Sequence, residues 1–476
     1  MNQKKIVHDI FLASLKAVDP YRAVSGAIAI IRNAIATEKI NRIVVVGAGK
    51  ASSQMASAIE HSIGSDSVIE GIVITKYGHA VRTEVEKIRS SEDIIITSVE
   101  DEKIGGSEVK NLSASQPLSL STSQSHESPI SVYEAGHPIP DENGLKATQE
   151  VINLLKSTDS STLVLMLISG GGSALLVSPQ DGISLSEKQK ITDLLLKAGA
   201  DITELNTVRK HLSKVKGGRL AEIAHPAKVV TFILSDVIGD KLDVIASGPT
   251  VPDTSTYADA MAVIKKFKLI EIAPKSILDL INDGIQGRAS ETPKEDSPVF
   301  KNIDNVIIGS NIIALDAAKK EAEELGFNAE IICSDLSGEA VDAGNWLAEK
   351  AKERHSSSRS FGTSCLISGG ETTVKVKGSG KGGRNMELAL SFAKEIEGIE
   401  GITLLSAGTD GNDGPTDAAG AIVDGGTISK AKTLGLDANE YLNNNDSYNI
   451  FKQIDSLLIT GPTGTNVMDV QIVLIQ

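Results

Sequence analysis

Residues 162–176 read TLVLMLISGGGSALL. The seven residues 162–168 form the most apolar run in the chain, and a Ser-Gly-Gly-Gly-Ser turn at 169–173 follows directly. A short run of this kind, bounded by glycine and leading into helical sequence, reads as a strand buried on both faces of a parallel sheet. The pattern repeats in both directions. Toward the N-terminus, 42–46 leads into GAGKASSQMASAIE and 71–75 into KYGHA. Toward the C-terminus, 228–234 leads into SDVIGD, 306–308 into GSNIIALDAAKKEAEELG and 331–333 into SDLSGEAVDAGNW. Further on, 364–367 leads into SGGETTV and 402–405 into SAGTDGNDG. Strands alternating with helices predict an α/β protein with mostly parallel sheets. Ligands of such sheets bind beyond the carboxyl ends of the strands. The glycine-, serine- and aspartate-rich turns all fall at that edge, which predicts a small-molecule site.

The chain has 476 residues, enough for two large or three ordinary domains. With 47 Lys and Arg against 62 Asp and Glu, its formal charge is −15, which argues against a general nucleic-acid binder. Hydrophobic residues at 41% and charged residues at 23% are ordinary for a globular protein. Aromatics at 3% argue against a stacking platform for sugars or single strands. No segment approaches the length of a membrane span, and the first helix, with Val7, Ile10, Phe11, Leu15 and Val18 on one face, reads as amphipathic. The two cysteines, Cys333 and Cys365, lie in apolar runs and are expected as buried thiols, which fits a reducing, cytoplasmic setting.

Two polar stretches stand out. The serine-rich segment 103–129 predicts a surface loop, and 286–297 a second connector. The change of domain is expected near 251–257, and two C-terminal strands flank GPTGTNVMD. The expected division is a first α/β domain of 1–255 plus about 440–476, and a second of 256–439.

Several motifs have chemical potential. Gly47-Ala48-Gly49-Lys50 joins a strand to a helix, where backbone amides and the lysine can hold an anion. It lacks the spacing of a phosphate-binding P-loop, and Ser52 stands where a dinucleotide fingerprint needs its third glycine. A tight turn with a solvated lysine is the alternative. The turn of Ser169, Gly170, Gly171, Gly172 and Ser173 is either an anion nest or a place of close chain packing. The segment NTVRKHLSKVKGGR concentrates Arg209, Lys210, His211, Lys214, Lys216 and Arg219. Arg209 and Lys216 are seven apart, on one face if the helix persists, and would attract an anionic ligand. Asp236 ends a buried strand and is either a helix cap, a base or a metal ligand. Asn311 opens the helix after 306–308, also at a carboxyl edge.

Gly370 and Glu371 sit in a second SGG turn, before a glycine-rich loop that ends in Gly382, Gly383 and Arg384. That loop is expected to close over an anion. Asp410 and Asp413, in GTDGNDG, are metal candidates, although the segment lacks the distal glutamate of a calcium-binding EF-hand. His137, in GHPIPDENG, reads as part of a turn; no serine-hydrolase elbow or zinc-ligand spacing is present.

Taken in order, GAGKAS, AGHPIPDENG, SGGGSALL, LNTVRKHLSKVKGGRLA, LSDVIGD with IASGPTVPD, SGGETTV, GKGGRNMELAL and GTDGNDGPTDAAGA resemble the class II glycerate 2-kinase family. These are the kinases with a leucine-rich C-terminal module. The resemblance runs from about residue 43 to 473, and its specificity lies in the number of ordered motifs. It implies two Rossmann-like α/β domains with an active-site cleft between them, and ATP-dependent phosphorylation of D-glycerate at the 2-hydroxyl with Mg2+ or another divalent cation. It implies catalytic roles for Lys50 and Arg384. Position adds Asp236 or, alternatively, Asp410 as the candidate for holding Mg2+ or polarising the attacking hydroxyl. Expected partners are D-glycerate and ATP, with no nucleic acid or membrane, and a homodimer is compatible. Two other readings remain: a NAD(P)H-dependent reductase of hydroxypyruvate or tartronate semialdehyde, and a non-catalytic sensor of nucleotides or phosphorylated acids.

Overall fold

The structure is a computed structural model and describes residues 3–63, 68–80, 128–356 and 362–476. The expected loop at 103–129 lies almost wholly outside the described residues. Six strands form the first sheet: β1 Arg42–Ala48, β2 Val68–Lys76, β3 Ile130–Ala135, β4 Thr162–Ile168, β5 Lys228–Leu234 and β6 Ile303–Gly309. Their order is β3-β2-β1-β4-β5-β6, and every pairing is parallel. The chain builds outward from β1 in one direction, then returns to β4 and builds in the other. The β1–β4 boundary is therefore the topological switch point, where the carboxyl ends of a parallel sheet open a crevice. In register, Ala48 lies opposite Ile168, so GAGK and SGGGS emerge side by side. All seven residues of β4 are buried, as its continuous apolar run requires.

The second sheet contains β7 Asn328–Leu336, β8 Ser364–Gly370, β9 Ile402–Gly408, β10 Gly420–Asp424, β11 Leu457–Leu458 and β12 Asp469–Ile475. Their order is β11-β10-β9-β12-β8-β7. Here only β7 and β8 pair in parallel; β12 runs antiparallel to both neighbours.

The sheets redraw the expected domain division in two places. The strand at 303–309 closes the first sheet beside β5, and the C-terminal strand 469–475 lies in the middle of the second. The polar connector 286–297 marks a change of element rather than of sheet, since Glu291 is bonded to His211 and Thr292 to Asp253. At the other end, β11 finishes at the carboxyl edge of β9, so a short loop lets β12 enter between β8 and β9 and run back. That reversal places Asp469 opposite Gly370 and Gly408, at the carboxyl edge.

The expected face of the first helix, Gln3–Ala17, is buried at Val7, Ile10, Phe11, Leu15 and Val18. It packs on the helix Asn311–Glu324 and on β9 and β12, and the Thr465 hydroxyl donates to the Val18 carbonyl at 2.7 Å. One apolar core thus includes residues of both sheets. Cys365 is buried in β8 as expected, whereas Cys333 is half-exposed because β7 is an edge strand.

Candidate active site

At the switch point the glycines are set by the closeness of two chains. A Cβ on Gly47 would fall 2.6 Å from the Leu167 carbonyl oxygen, and one on Gly49, at φ +147°, 2.1 Å from Ser169 Oγ. The Lys50 amide donates to the Gly170 carbonyl at 2.9 Å, and the Ala51 amide to Ser169 Oγ at 3.0 Å. The Ser52 hydroxyl donates to the carbonyls of Gly49 and Ile74, so a side chain fills the place of a third fingerprint glycine. The Lys50 backbone is thereby fixed to two strand ends. Its half-buried side chain makes no hydrogen bond or ion pair with a described residue.

The SGGGS turn continues into a helix of only four residues, Gly172–Leu175, too short for an appreciable dipole. Its glycines answer to close contacts on three sides. A Cβ on Gly170 would fall 2.3 Å from Asp236 Oδ2, one on Gly171, at φ +87°, 2.9 Å from the His137 ring, and one on Gly172 2.9 Å from the Ala48 carbonyl oxygen. The amides of Gly170 and Gly171 make no hydrogen bond with described residues. Burial raises the proton affinity of Asp236; the Lys50 charge opposes that and Glu371 reinforces it. Burial, with the charges of Lys50, Lys76 and His79, pushes His137 down to about 4, leaving a neutral imidazole near neutral pH. The sequence shows only a proline-braced turn at His137; its place against Gly171 depends on β3 lying two strands from β1.

Arg384 opens the helix Arg384–Glu395 beside the second sheet. It donates to both oxygens of Asp469, at 2.6 and 2.9 Å, and to Glu371 at 2.6 Å. Burial lowers its proton affinity, but these carboxylates outweigh it and hold the guanidinium charged. Asp469 is 1% exposed, and burial raises its proton affinity against the pull of Arg384. Glu371 acts electrostatically on both Asp236 and Arg384, so it connects the two sheet edges. Nothing in the sequence motif VMDVQ marks Asp469, because its role comes from strand reversal.

Asp413 accepts from the amides of Asn385 and Met386, at 3.1 and 2.8 Å, and so caps the Arg384 helix. Burial pushes it up to about 7, and the amides pull it back. Asp410 accepts from the Asn412 amide in a local turn. Among the described residues no group of three or more His, Cys, Asp or Glu could hold a metal. A Cβ on Gly383 would collide with Asp413, one on Gly382 with Ser447, and one on Gly370 with Leu336. Asn311 is buried, with its amide donating to the carbonyls of Val467 and Asp469 at 2.9 Å, and so ties its helix to the second sheet.

The basic segment does not continue as one helix. Its helix, Ile202–His211, stops before Lys216. A turn brings Lys216 back, and its ammonium donates to the Ser173 carbonyl at 2.7 Å and hydroxyl at 3.1 Å. Arg209, Lys216 and Lys188 of the helix Leu185–Lys197 lie within electrostatic reach of one another; the sequence reading left Lys188 unmarked.

Residues 6–282 match a family model described as a domain of unknown function, DUF4147, and residues 364–469 match the MOFRL family. A D-glycerate 2-kinase of Thermotoga maritima is 45% identical over 99% of this chain and 98% of its own. A glycerate 2-kinase of Pyrococcus horikoshii is 40% identical over 97% and 95%. An Agrobacterium vitis protein provisionally named hydroxypyruvate reductase is 38% identical over 92% and 100%. The crystal structure of a Thermotoga maritima glycerate kinase aligns with a TM-score of 0.83 at 44% identity, covering 100% of this chain and 99% of that one.

Proposed function

The chain belongs to the glycerate 2-kinase family whose members carry the MOFRL module, and from that premise we propose how its residues carry out the reaction. It is a kinase that transfers the γ-phosphoryl group of ATP to the 2-hydroxyl of D-glycerate. The observation that carries the site assignment is the unpartnered Lys50 side chain at the switch point, linked through Asp236 and Glu371 to Arg384 on the other sheet.

Phosphoryl transfer needs alignment and charge neutralisation more than covalent chemistry. Lys50 and Arg384 meet the transferring phosphoryl from two sides, and the amides of Gly170 and Gly171 face it across the turn. The 2-hydroxyl oxygen bonds to the γ-phosphorus while the bond from that phosphorus to the bridging oxygen breaks, and ADP leaves with that oxygen. The hydroxyl proton passes to Asp236, whose raised proton affinity suits a base. Mg2+ in kinases is held by one or two carboxylates together with the phosphates. Glu371, which acts on Asp236 from across the cleft, fits such an ion and would hold it. It would neutralise phosphate oxygens there. Asp410 lies at the same edge, whereas both oxygens of Asp413 are occupied by backbone amides.

Free thiols and dependence on ATP support a cytoplasmic setting. Among the described residues no helix is long and apolar enough to cross a membrane.

The direct test couples the reaction with ATP, Mg2+ and D-glycerate to enolase without phosphoglycerate mutase. Signal is expected. Signal only after adding mutase overturns the 2-position, and NADH consumption with hydroxypyruvate in the absence of ATP turnover overturns the kinase reading.

A further inference from the structure

The basic side chains around the SGGGS turn divide sharply by partner. Lys210 faces Asp243 and Asp253 at 3.5 and 3.4 Å, His211 faces Glu291 at 2.9 Å, and Lys214 faces Asp181 at 2.6 Å. Arg209, Lys216 and Lys188 face no carboxylate among the described residues. Lys188 is 5% exposed and Lys216 1%. The Lys188 ammonium and the Asn206 side-chain amide nitrogen are buried with no hydrogen-bond partner. Around them the Lys216 ammonium holds Ser173, whose hydroxyl meets that of Ser247 at 2.8 Å, and Ser247 donates to Asn206 Oδ1 at 3.0 Å. Ala246 and Ser247 take the left-handed conformation, at φ 50° and 62°, which non-glycine residues adopt only when their surroundings impose it.

Two buried cations, Lys188 and Lys216, beside a half-buried Arg209 and without an acid, are unfavourable for folding alone. The open polar atoms, those of Lys188 and Asn206, are both donors, and a carboxylate is an acceptor-only ligand. We propose that Lys188, Arg209, Lys216 and Asn206 form the subsite for the carboxylate of the acceptor substrate, a short 2-hydroxy acid. The assignment deepens the kinase reading and rests on it.

Placement favours the acid over the nucleotide. Ser173 lies three residues beyond Gly170, which touches Asp236. The carboxylate of a 2-hydroxy acid is attached to the carbon that bears the reacting hydroxyl, so its subsite must border the base. Burial also lowers the proton affinity of Lys188, Arg209 and Lys216, a cost that a bound anion relieves.

The experiment compares wild type with Lys188→Met, which keeps length and removes charge, and with Arg209→Met. Melting temperatures check folding, and nucleotide-free calorimetry with D-glycerate reads binding directly. Loss of a charge-assisted hydrogen bond predicts a KM for D-glycerate raised roughly 30-fold in Lys188→Met, with the KM for ATP within about 2-fold. The preference of wild type for D-glycerate over uncharged glycerol should shrink equally. Unchanged KM for D-glycerate in both folded variants overturns the subsite. A raised KM for ATP alone also overturns it and gives the pocket to the nucleotide. If wild type transfers nothing to D-glycerate, the kinase reading falls by itself; calorimetric binding lost in Lys188→Met would still uphold the subsite, and absence of binding would overturn it.

Discussion

The two sheet edges that meet at the cleft treat charge in opposite ways. On the parallel sheet, Lys50, Lys188, Arg209 and Lys216 form no ion pair with a carboxylate among the described residues. On the mixed sheet, Arg384 is bound by Asp469 and Glu371, and Asp413 by two backbone amides. The first edge is proposed to recognise anions because its charge is unmet among the described residues. The second holds one cation in a fixed orientation before any ligand arrives. A parallel sheet whose strands end together naturally clusters turns and amides at one edge. The antiparallel entry of β12 is what delivers a buried acid to the other.

Removing the two cations proposed as catalytic separates these designs. Lys50→Ala and Arg384→Ala are both expected to lower kcat about 10³-fold, the scale of lost transition-state charge stabilisation. Their stabilities should differ. Lys50 leaves no partner behind, so its variant should melt near wild type. Arg384→Ala strands Asp469, buried and charged, which costs roughly 3–5 kcal/mol where a buried pair is broken from one side. Equal melting temperatures in the two variants would erase the contrast between the edges.

Asp469→Asn sharpens it. Arg384 keeps its charge and Glu371 but loses the bidentate grip that fixes its plane. A fall in kcat of about 10- to 100-fold is expected, with little change in either KM, because the residue orients without touching substrate. A change confined to KM would mean that Asp469 shapes the ground-state site instead. On the parallel edge, the matching change is Gly171→Ala. It adds a Cβ at φ +87° and 2.9 Å from the His137 ring, and should destabilise by about 1–2 kcal/mol with a few-fold loss of activity. Wild-type melting would show that the turn relaxes freely.

The parallel edge was legible in the sequence because its signals are local. Gly47, Gly49 and Gly170 to Gly172 announce a close approach of backbones, and continuous apolar runs announce strands buried on both faces. The family resemblance added what those signals could not, the pairing of Lys50 with Arg384. Elements set by distant contacts stayed hidden. Asp469 looks like one polar residue between Met468 and Val470, and becomes the anchor of Arg384 only through the register of β12. Lys188 looks like a solvated helix residue until the helix Ile202–His211 covers it. Asp413 looked like a metal ligand because a turn rich in aspartate also suits a helix cap, and the amides it caps lie 28 and 27 residues away. The domain division failed at β6 and β12 for the same reason: connector composition reports where an element ends, not which sheet takes the next one.

The smallest effects expected are in the pH dependence of stability, where the two edges should have opposite signs. Burial first, and then the Arg209 charge, push Lys188 down to about 7 in the folded chain from 10.5 when unfolded. Between these values the unfolded chain binds more protons, so this lysine makes stability rise with pH. Burial, reinforced by Asp469, pushes Asp413 up to about 7 from 3.8, against the pull of two backbone amides and Arg384. Between 3.8 and about 7 the folded chain binds more protons, so this aspartate makes stability fall as pH rises. Urea titrations across pH should therefore show two limbs. Lys188→Met should make the alkaline limb shallower, with Lys216 supplying the rest, and Asp413→Asn the acid one, with Asp236 and Asp469 supplying the rest. If D-glycerate is present, its carboxylate should stabilise the Lys188 ammonium and move the start of the alkaline limb upward, while leaving the acid limb in place. A shift of both limbs would mean that the two edges share one electrostatic environment, and the contrast between them would no longer hold.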